Sequence, residues 1–211
     1  MRRRLLTGGF DFPEFIEADG QHYINTGILS DDNNVITAVV SYGDLSDIPA
    51  ATRQYVIGAY GRESGGSVVT SRTQLIFGGD GSISSTATRN TLQTGWGNNW
   101  SFYNNYVITT NPTTIEMSKN YVKINGTAIT ANIGHVFTSP KEIFAFALND
   151  DGTPSYPANK LRLHRLDITN NTASYEILAD FLPAVNRATG ETGLLNVVTR
   201  EFIPMQPITT P

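Results

Sequence analysis

A chain of 211 residues with 39% hydrophobic content suits one large all-β domain or two small ones. Its formal net charge of −4, with 15 Lys and Arg against 19 Asp and Glu, argues against a polyanion-binding surface spread over the whole domain, so no nucleic-acid partner is expected. The absence of cysteine excludes disulfide scaffolds, thiolate zinc sites and cysteine nucleophiles, and no apolar run approaches the ~18 residues that span a membrane.

Thr, Asn and Ser number 25, 18 and 14, so the polar surface is hydroxyl and amide rather than ionic. Together with 19 Gly and 10 Pro, this favours short strands joined by many turns. The start, Met1-Arg2-Arg3-Arg4-Leu5-Leu6-Thr7-Gly8-Gly9, imitates the charged head of a signal peptide. Its apolar stretch falls far short of the roughly 7–15 residues such a signal needs, so residues 1–12 read as an uncleaved N-terminal arm. Glu14–Ala18 and His22–Thr26 flank Asp19-Gly20, a tight-turn dipeptide. Val35–Tyr42 is the strongest strand, β-branched along most of its length, and Gln54–Tyr60, Gln74–Phe77 and Trp100–Tyr103 follow. Thr113–Met117 and Tyr121–Ile124 precede Asn125-Gly126, the cleanest hairpin signal, which turns the chain into Thr127–Ile129. Glu142–Leu148 and Lys160–Ile168 read as two long strands. Strict alternation in the second places Leu161, Leu163, Arg165 and Asp167 on one face and Arg162, His164, Leu166 and Ile168 on the other. Ser174–Phe181 is a further strand ending at Pro183, and residues 204–211 form a Pro-rich tail. No segment carries a helical apolar stripe longer than two turns, so two packed antiparallel sheets are expected.

The C-terminal third carries a resemblance. Asp180-Phe181-Leu182-Pro183 and Gly190-Glu191-Thr192-Gly193-Leu194-Leu195-Asn196, followed by a short strand ending in Phe202, resemble the closing signature of concanavalin A-like (laminin-G-like) jelly-roll domains. Tyr23-Ile24-Asn25-Thr26-Gly27 is similar to the first core strand of that family. Asn196 stands where the family usually has Asp, and Leu195 where it usually has Tyr. The matches bracket roughly residues 14 to 203, and the domain is expected over 13–203. Gly190 and Gly193 are expected to supply turn conformations, with Leu194, Val198 and Phe202 pinning the last segment to the sandwich. Such domains recur in bacteriophage virion proteins and gut bacterial surface proteins.

Candidate chemistry is sparse. Glycanases of this fold need two facing carboxylates. The acidic cluster available on a strand is Glu14, Glu17 and Asp19, which does not share one face, so no catalytic residues are expected. His22, His135 and His164 lack metal-ligand spacing, and His164 reads as a satisfied sheet residue rather than a general base. Gly58–Arg62 and Gly78–Gly81 are turn glycines without a following helix. Asn149, Asp150 and Asp151 offer hard oxygen ligands for calcium, or an ordinary Asx turn, which is favoured; no cofactor is expected. The run Trp96–Tyr106 mixes aromatic rings with Asn amides, as a glycan site does. Trp100 and Phe102 read as core residues, whereas Trp96 stands open between a core ring and a sugar platform flanked by Asn98 and Asn99. Arg2, Arg3 and Arg4 either belong to a frayed end or dock onto an acidic neighbour.

The resemblance and the missing signal lead to a non-enzymatic virion protein of a tailed phage, a capsid decoration, head-fibre or tail-fibre component. It would assemble in the host cytoplasm without inserting in a membrane. Its expected partners are other virion proteins or further copies of itself, together with a host-surface glycan. The alternative is a glycan-binding, lectin-like module of a bacterial surface protein, and a glycanase is the third reading.

Overall fold

The computed structural model describes residues 8–44, 53–62, 69–77, 92–103, 109–129, 137–172 and 175–209, with the backbone alone for 70 and 100–103. The described chain runs through β1 (Phe10–Asp11), β2 (Ile16–Asp19), β3 (His22–Leu29), β4 (Asn34–Tyr42), β5 (Gln54–Arg62), β6 (Val69–Phe77) and β7 (Leu92–Trp96). It continues through β8 (Asn99–Tyr103), β9 (Thr113–Met117), β10 (Val122–Ile124), β11 (Thr127–Ile129), β12 (Glu142–Ala145) and β13 (Leu148–Asp150). The last strands are β14 (Thr153–Ser155), β15 (Asn159–Asn170), β16 (Glu176–Asn186), β17 (Thr192–Asn196), β18 (Glu201–Pro204) and β19 (Gln206–Pro207).

These strands form two sheets. The first has the order β11-β10-β9-β4-β15-β16-β17-β18, with β2 alongside β15 and β1 alongside β16. The second has the order β19-β3-β12-β5-β6-β7-β8, with β13 and β14 attached through β5. The pairings are antiparallel, save that β13 runs parallel to β5. Ile36, Ala38, Val40, Leu166, Ile168 and Phe181 of the first sheet belong to one buried cluster with Val56, Ile57, Leu75, Phe77 and Ile143 of the second. The architecture is therefore an all-β sandwich with the core between its sheets, as expected from the alternating strands.

Several local expectations are corrected. Asp19-Gly20 does not close a hairpin: β2 pairs with β15 and β3 with β12, so the dipeptide carries the chain from one sheet to the other. Asp19 Oδ1 accepts hydrogen bonds from the Gln21 and His22 amides at this corner, 2.9 and 3.0 Å long. Asn125-Gly126 does close one, with φ of 48° and 80° as a type I′ turn requires and Ile124 opposite Thr127. The single strand expected over Glu142–Leu148 breaks where Phe146, fully buried, adopts φ 65°. The break lets Leu148–Asp150 leave β12 and run parallel to β5. Pro183 does not end its strand. β16 runs on to Asn186, and Pro183 sits where its neighbour changes from β15 to β1, so a residue without an N–H interrupts no continuous ladder.

The described parts of both expected tails, residues 8–12 and 204–209, contribute strands to the sheets. Phe10 pairs with Asn186, and its ring packs on Phe202 at 5.2 Å. Gln206 and Pro207 lie against Tyr23 and His22 at the edge of the second sheet, where a proline is tolerated. Of the residues expected to pin the closing segment, Leu194 is fully buried but Val198 is 49% exposed. Gly190 has the expected positive φ of 75°, whereas Gly193 is needed for space, because a Cβ there would collide with the Ile203 carbonyl.

The most consequential departure is in β15. Leu163 lies opposite Val40 and Arg165 opposite Val39, so His164 is an extra residue, a β-bulge. Before it Leu161 and Leu163 face the core, and after it Leu166 and Ile168 do. Arg165 and Asp167 consequently face away from Leu161 and Leu163, contrary to strict alternation. Packing makes a checkable difference between inner and outer positions of this region. Phe181→Ala, at a fully buried ring, should lower stability by about 3–5 kcal/mol. Tyr175→Ala, at a side chain 62% exposed, should stay within about 0.5 kcal/mol of the parent in urea melts.

Candidate functional site

The outer face of the first sheet carries a straight polar row. Lys123 on β10 lies opposite Glu116 on β9, Glu116 opposite Thr37 on β4, Thr37 opposite Asp167 on β15, and Asp167 opposite Asp180 on β16. Ladder pairing fixes these side chains beside one another, so the row is set by backbone hydrogen bonds rather than by loops. It forms the floor of an open groove of about 300 Å³ whose walls include Tyr121, Tyr175 and Ile177. From β9 to β16 the floor spans three interstrand spacings, about 14 Å.

Arg165 holds the floor together. Its Nε lies 2.9 Å from both oxygens of Asp167, and its Nη2 lies 3.2 Å from Asp180 Oδ1. The Asp167 carboxyl is pushed up to about 6, first by burial and then by the hydrogen-bonded carboxyl of Asp180, against the pull of Arg165. Glu116 behaves in the opposite way. Burial works against its ionisation, but hydrogen bonds from Lys123, at 2.8 Å, and Tyr121 hold it below the usual range. The Lys123 ammonium also lies 4.1 Å from the centre of the Tyr121 ring.

The closing motif supports this floor from behind. Asn196, 4% exposed, accepts a hydrogen bond from the Val198 amide at 3.0 Å and lies 3.4 Å from the Asp180 amide. The Val197 amide donates to the Asp180 carbonyl at 2.8 Å. An amide at position 196 thus does the capping that a carboxylate there would do, without adding a third negative charge beside Asp180.

The residues singled out in the sequence are not gathered here. Trp96 is 3% exposed and packs in the core against Phe137, so its ring offers no face to a sugar. Gly97-Asn98 is the two-residue turn of the β7–β8 hairpin, with Asn98 exposed and Asn99 half-buried. That Gly-Asn pair was a hairpin signal legible in the sequence. The side chains of Trp100 and Phe102, and all of Arg2, Arg3, Arg4 and His135, lie outside the described residues.

Asn149 is 3% exposed and satisfied by the Gly152 amide and the Glu142 carbonyl, as in an Asx turn. Asp150 grips Arg62 at 2.7 Å, and Asp151 pairs with Lys141 at 2.5 Å. Among the described residues no three His, Asp or Glu side chains are placed to hold a metal ion. His164 lies 2.9 Å from Ser41 Oγ, but Ser41 is 2% exposed and offers no nucleophile to solvent. Glu17 pairs with Arg162 at 2.8 Å and Asp19 with His22 at 2.6 Å, so those acids serve the sheet edge. A larger concavity of about 730 Å³ lies at one end of the sandwich, lined by His22, Tyr156, Pro157 and Pro207. It is also lined by Asp150 of β13 and Thr153–Ser155 of β14, and its polar groups do not come from one row running across the ladder.

The raised carboxyl gives a pH-dependent stability. Asp167 titrates near 3.8 when unconstrained and near 6 in the fold. Below about pH 4 both states hold the proton and nothing is lost. Between about pH 4 and 6 the unfolded chain ionises first, so stability falls as pH rises, by on the order of 3 kcal/mol in all. Asp167→Asn cannot titrate. Urea midpoints at pH 4 and 7.5 should therefore drop further for the parent than for this variant, and equal drops would contradict the burial of an ionisable Asp167.

No protein-family model and no curated protein matches the sequence. Among solved structures, the chain is similar to the CBM40 carbohydrate-binding module of the Ruminococcus gnavus IT-sialidase, a structure bound to α2,3-sialyllactose. The TM-score is 0.51 at 13% identity, covering 74% of this chain and 89% of that one. The likeness is one of fold: two antiparallel sheets in a jelly-roll β-sandwich.

Proposed function

We propose that this chain is a non-catalytic glycan-binding module whose ligand lies in the groove on the outer face of the first sheet. The observation that carries this reading is the combination of an exposed apolar wall, the Tyr175 ring and the Ile177 side chain, with a polar floor in register. Tyr175 is 62% exposed and Ile177 51%, and between them and Tyr121 lie the Thr37 and Thr169 hydroxyls, the Asn171 amide and the carboxylates of Asp167 and Asp180. Sugars present C–H faces to rings and hydroxyls to such acceptors and donors, so an apolar wall with a few fixed polar groups suits them. The strand-borne members of the site, Thr37, Asp167, Thr169, Ile177 and Asp180, also arrive already ordered, which lowers the entropy lost on binding. The similar fold of a carbohydrate-binding module that holds sialyllactose supports the same reading. The phage virion reading has no such support, and the glycan-binding alternative is therefore preferred to it.

Hydrolysis is the second reading, favoured by Asp167 near 6, a value fit for a general acid. Its partner is not free. Asp180, directly opposite Asp167 on β16, is ion-paired with Arg165 at 3.2 Å, the same Arg165 that holds Asp167. Glu116 is tied to Lys123 on the side away from β15. Reducing-sugar assays on any glycan the protein binds should show no release.

Glycan-array screening followed by calorimetry on the responsive glycan tests the site. Tyr175→Ala should weaken binding by about tenfold, about 1.4 kcal/mol, while leaving the fold intact. Tyr156→Ala, in the concavity at the end of the sandwich, should leave the affinity within about twofold of the parent. The reverse pattern would move the site to that end.

A further inference from the structure

The groove has an unequal charge balance. Its lining carries Glu116, Asp167 and Asp180 against Arg165 alone. Arg165 faces Asp167 through Nε and Asp180 through Nη2, so two carboxylates already neutralise its charge, and a ligand carboxylate drawn to its remaining N–H groups would sit beside both of them. The next cation, Lys123 on β10, is held by Glu116 at 2.8 Å and lies over the Tyr121 ring. β4 contributes Val35 and Thr37 to the lining, and neither carries a charge. An anionic ligand would meet the field of two adjacent carboxylates in a partly desolvated groove, where like charges repel more strongly than in water. A neutral sugar meets the same carboxylates as hydrogen-bond acceptors.

We infer that the groove selects its ligands by charge, taking neutral glycans and rejecting glycans that carry a carboxylate. The inference rests on the glycan-binding reading and names the ligand class of that same site. Selectivity here comes from the repulsive element as much as from the attractive ones. It also depends on pH. With Asp167 protonated, the floor loses one negative charge, while a sugar carboxylate stays ionised, so discrimination weakens in acid.

Pairs of immobilised glycans test this, each a neutral oligosaccharide and the same oligosaccharide ending in a hexuronic or sialic acid. At pH 7.5 the neutral member of any bound pair should bind at least about tenfold tighter, about 1.4 kcal/mol. At pH 5 the gap should shrink to about threefold, because one floor carboxylate is then neutral. Asp180→Asn should shrink it in the same direction at pH 7.5. The pH comparison uses the unaltered chain and stands even if that variant does not fold. Equal or tighter binding of the carboxylated member at pH 7.5 overturns the charge inference and leaves the glycan site standing. Failure of every glycan of both kinds to bind overturns the glycan-binding reading and the inference with it.

Discussion

One extra residue in a central strand organises this molecule. β15 pairs with β4, β2 and β16, and so joins the β11-β10-β9-β4 side of the first sheet to the β16-β17-β18 side. Its sequence, Leu161-Arg162-Leu163-His164-Arg165-Leu166-Asp167-Ile168, has leucines two apart, then three apart. A regular strand would have to bury Arg165 and Asp167 or expose Leu166 and Ile168. Burying an unpaired charge costs far more than a local break in the ladder. The bulge at His164 resolves the conflict by turning two consecutive side chains outward, so four apolar residues reach the core and two charged ones reach the groove.

The charge pair that this places on the surface is not there for stability. Asp167 and Asp180 lie side by side in a partly buried row, and one Arg is shared between them. Such an arrangement is costly above the titration range of Asp167, and an uncharged floor would fold better. The surrounding structure is built to hold it nonetheless. Asn196 and the Val197 amide fix the Asp180 backbone, and Lys123 fixes Glu116 at the far side of the row. Locally unfavourable groups maintained by a rigid frame are what a binding surface looks like before its ligand arrives.

Much of the frame was legible in the sequence. β9 coincides with the segment read from Thr113 to Met117, and Asn125-Gly126 specifies its own turn because both residues accept positive φ. The all-β class followed from alternation and turn residues, whereas the closing motif misplaced the last strands: Thr192–Asn196, expected as a turn, is β17, and the strand expected to end at Phe202 begins at Glu201. The groove was hidden for a physical reason. Alternation has a period of two and no memory of a bulge, so Arg165 and Asp167 were assigned to the wrong face. Partnership between Glu116, Thr37, Asp167 and Asp180 is set by ladder register across four strands, separated by up to 143 positions in sequence. Trp96 misled in the opposite direction. A tryptophan beside glycine and asparagine looks like an exposed platform, but the glycine and the first asparagine are the turn, and the ring belongs to the strand before it.

Backbone amides report directly on whether the outer face of the first sheet is where a glycan sits. In a titration of the isotopically labelled protein with its best array ligand, followed by amide NMR, the largest shifts should fall on Thr37, Glu116, Arg165, Asp167, Tyr175 and Asp180. Shifts centred on His22, Tyr156 and Ile208, with these six unmoved, would contradict the assignment of the site to the row that the bulge creates.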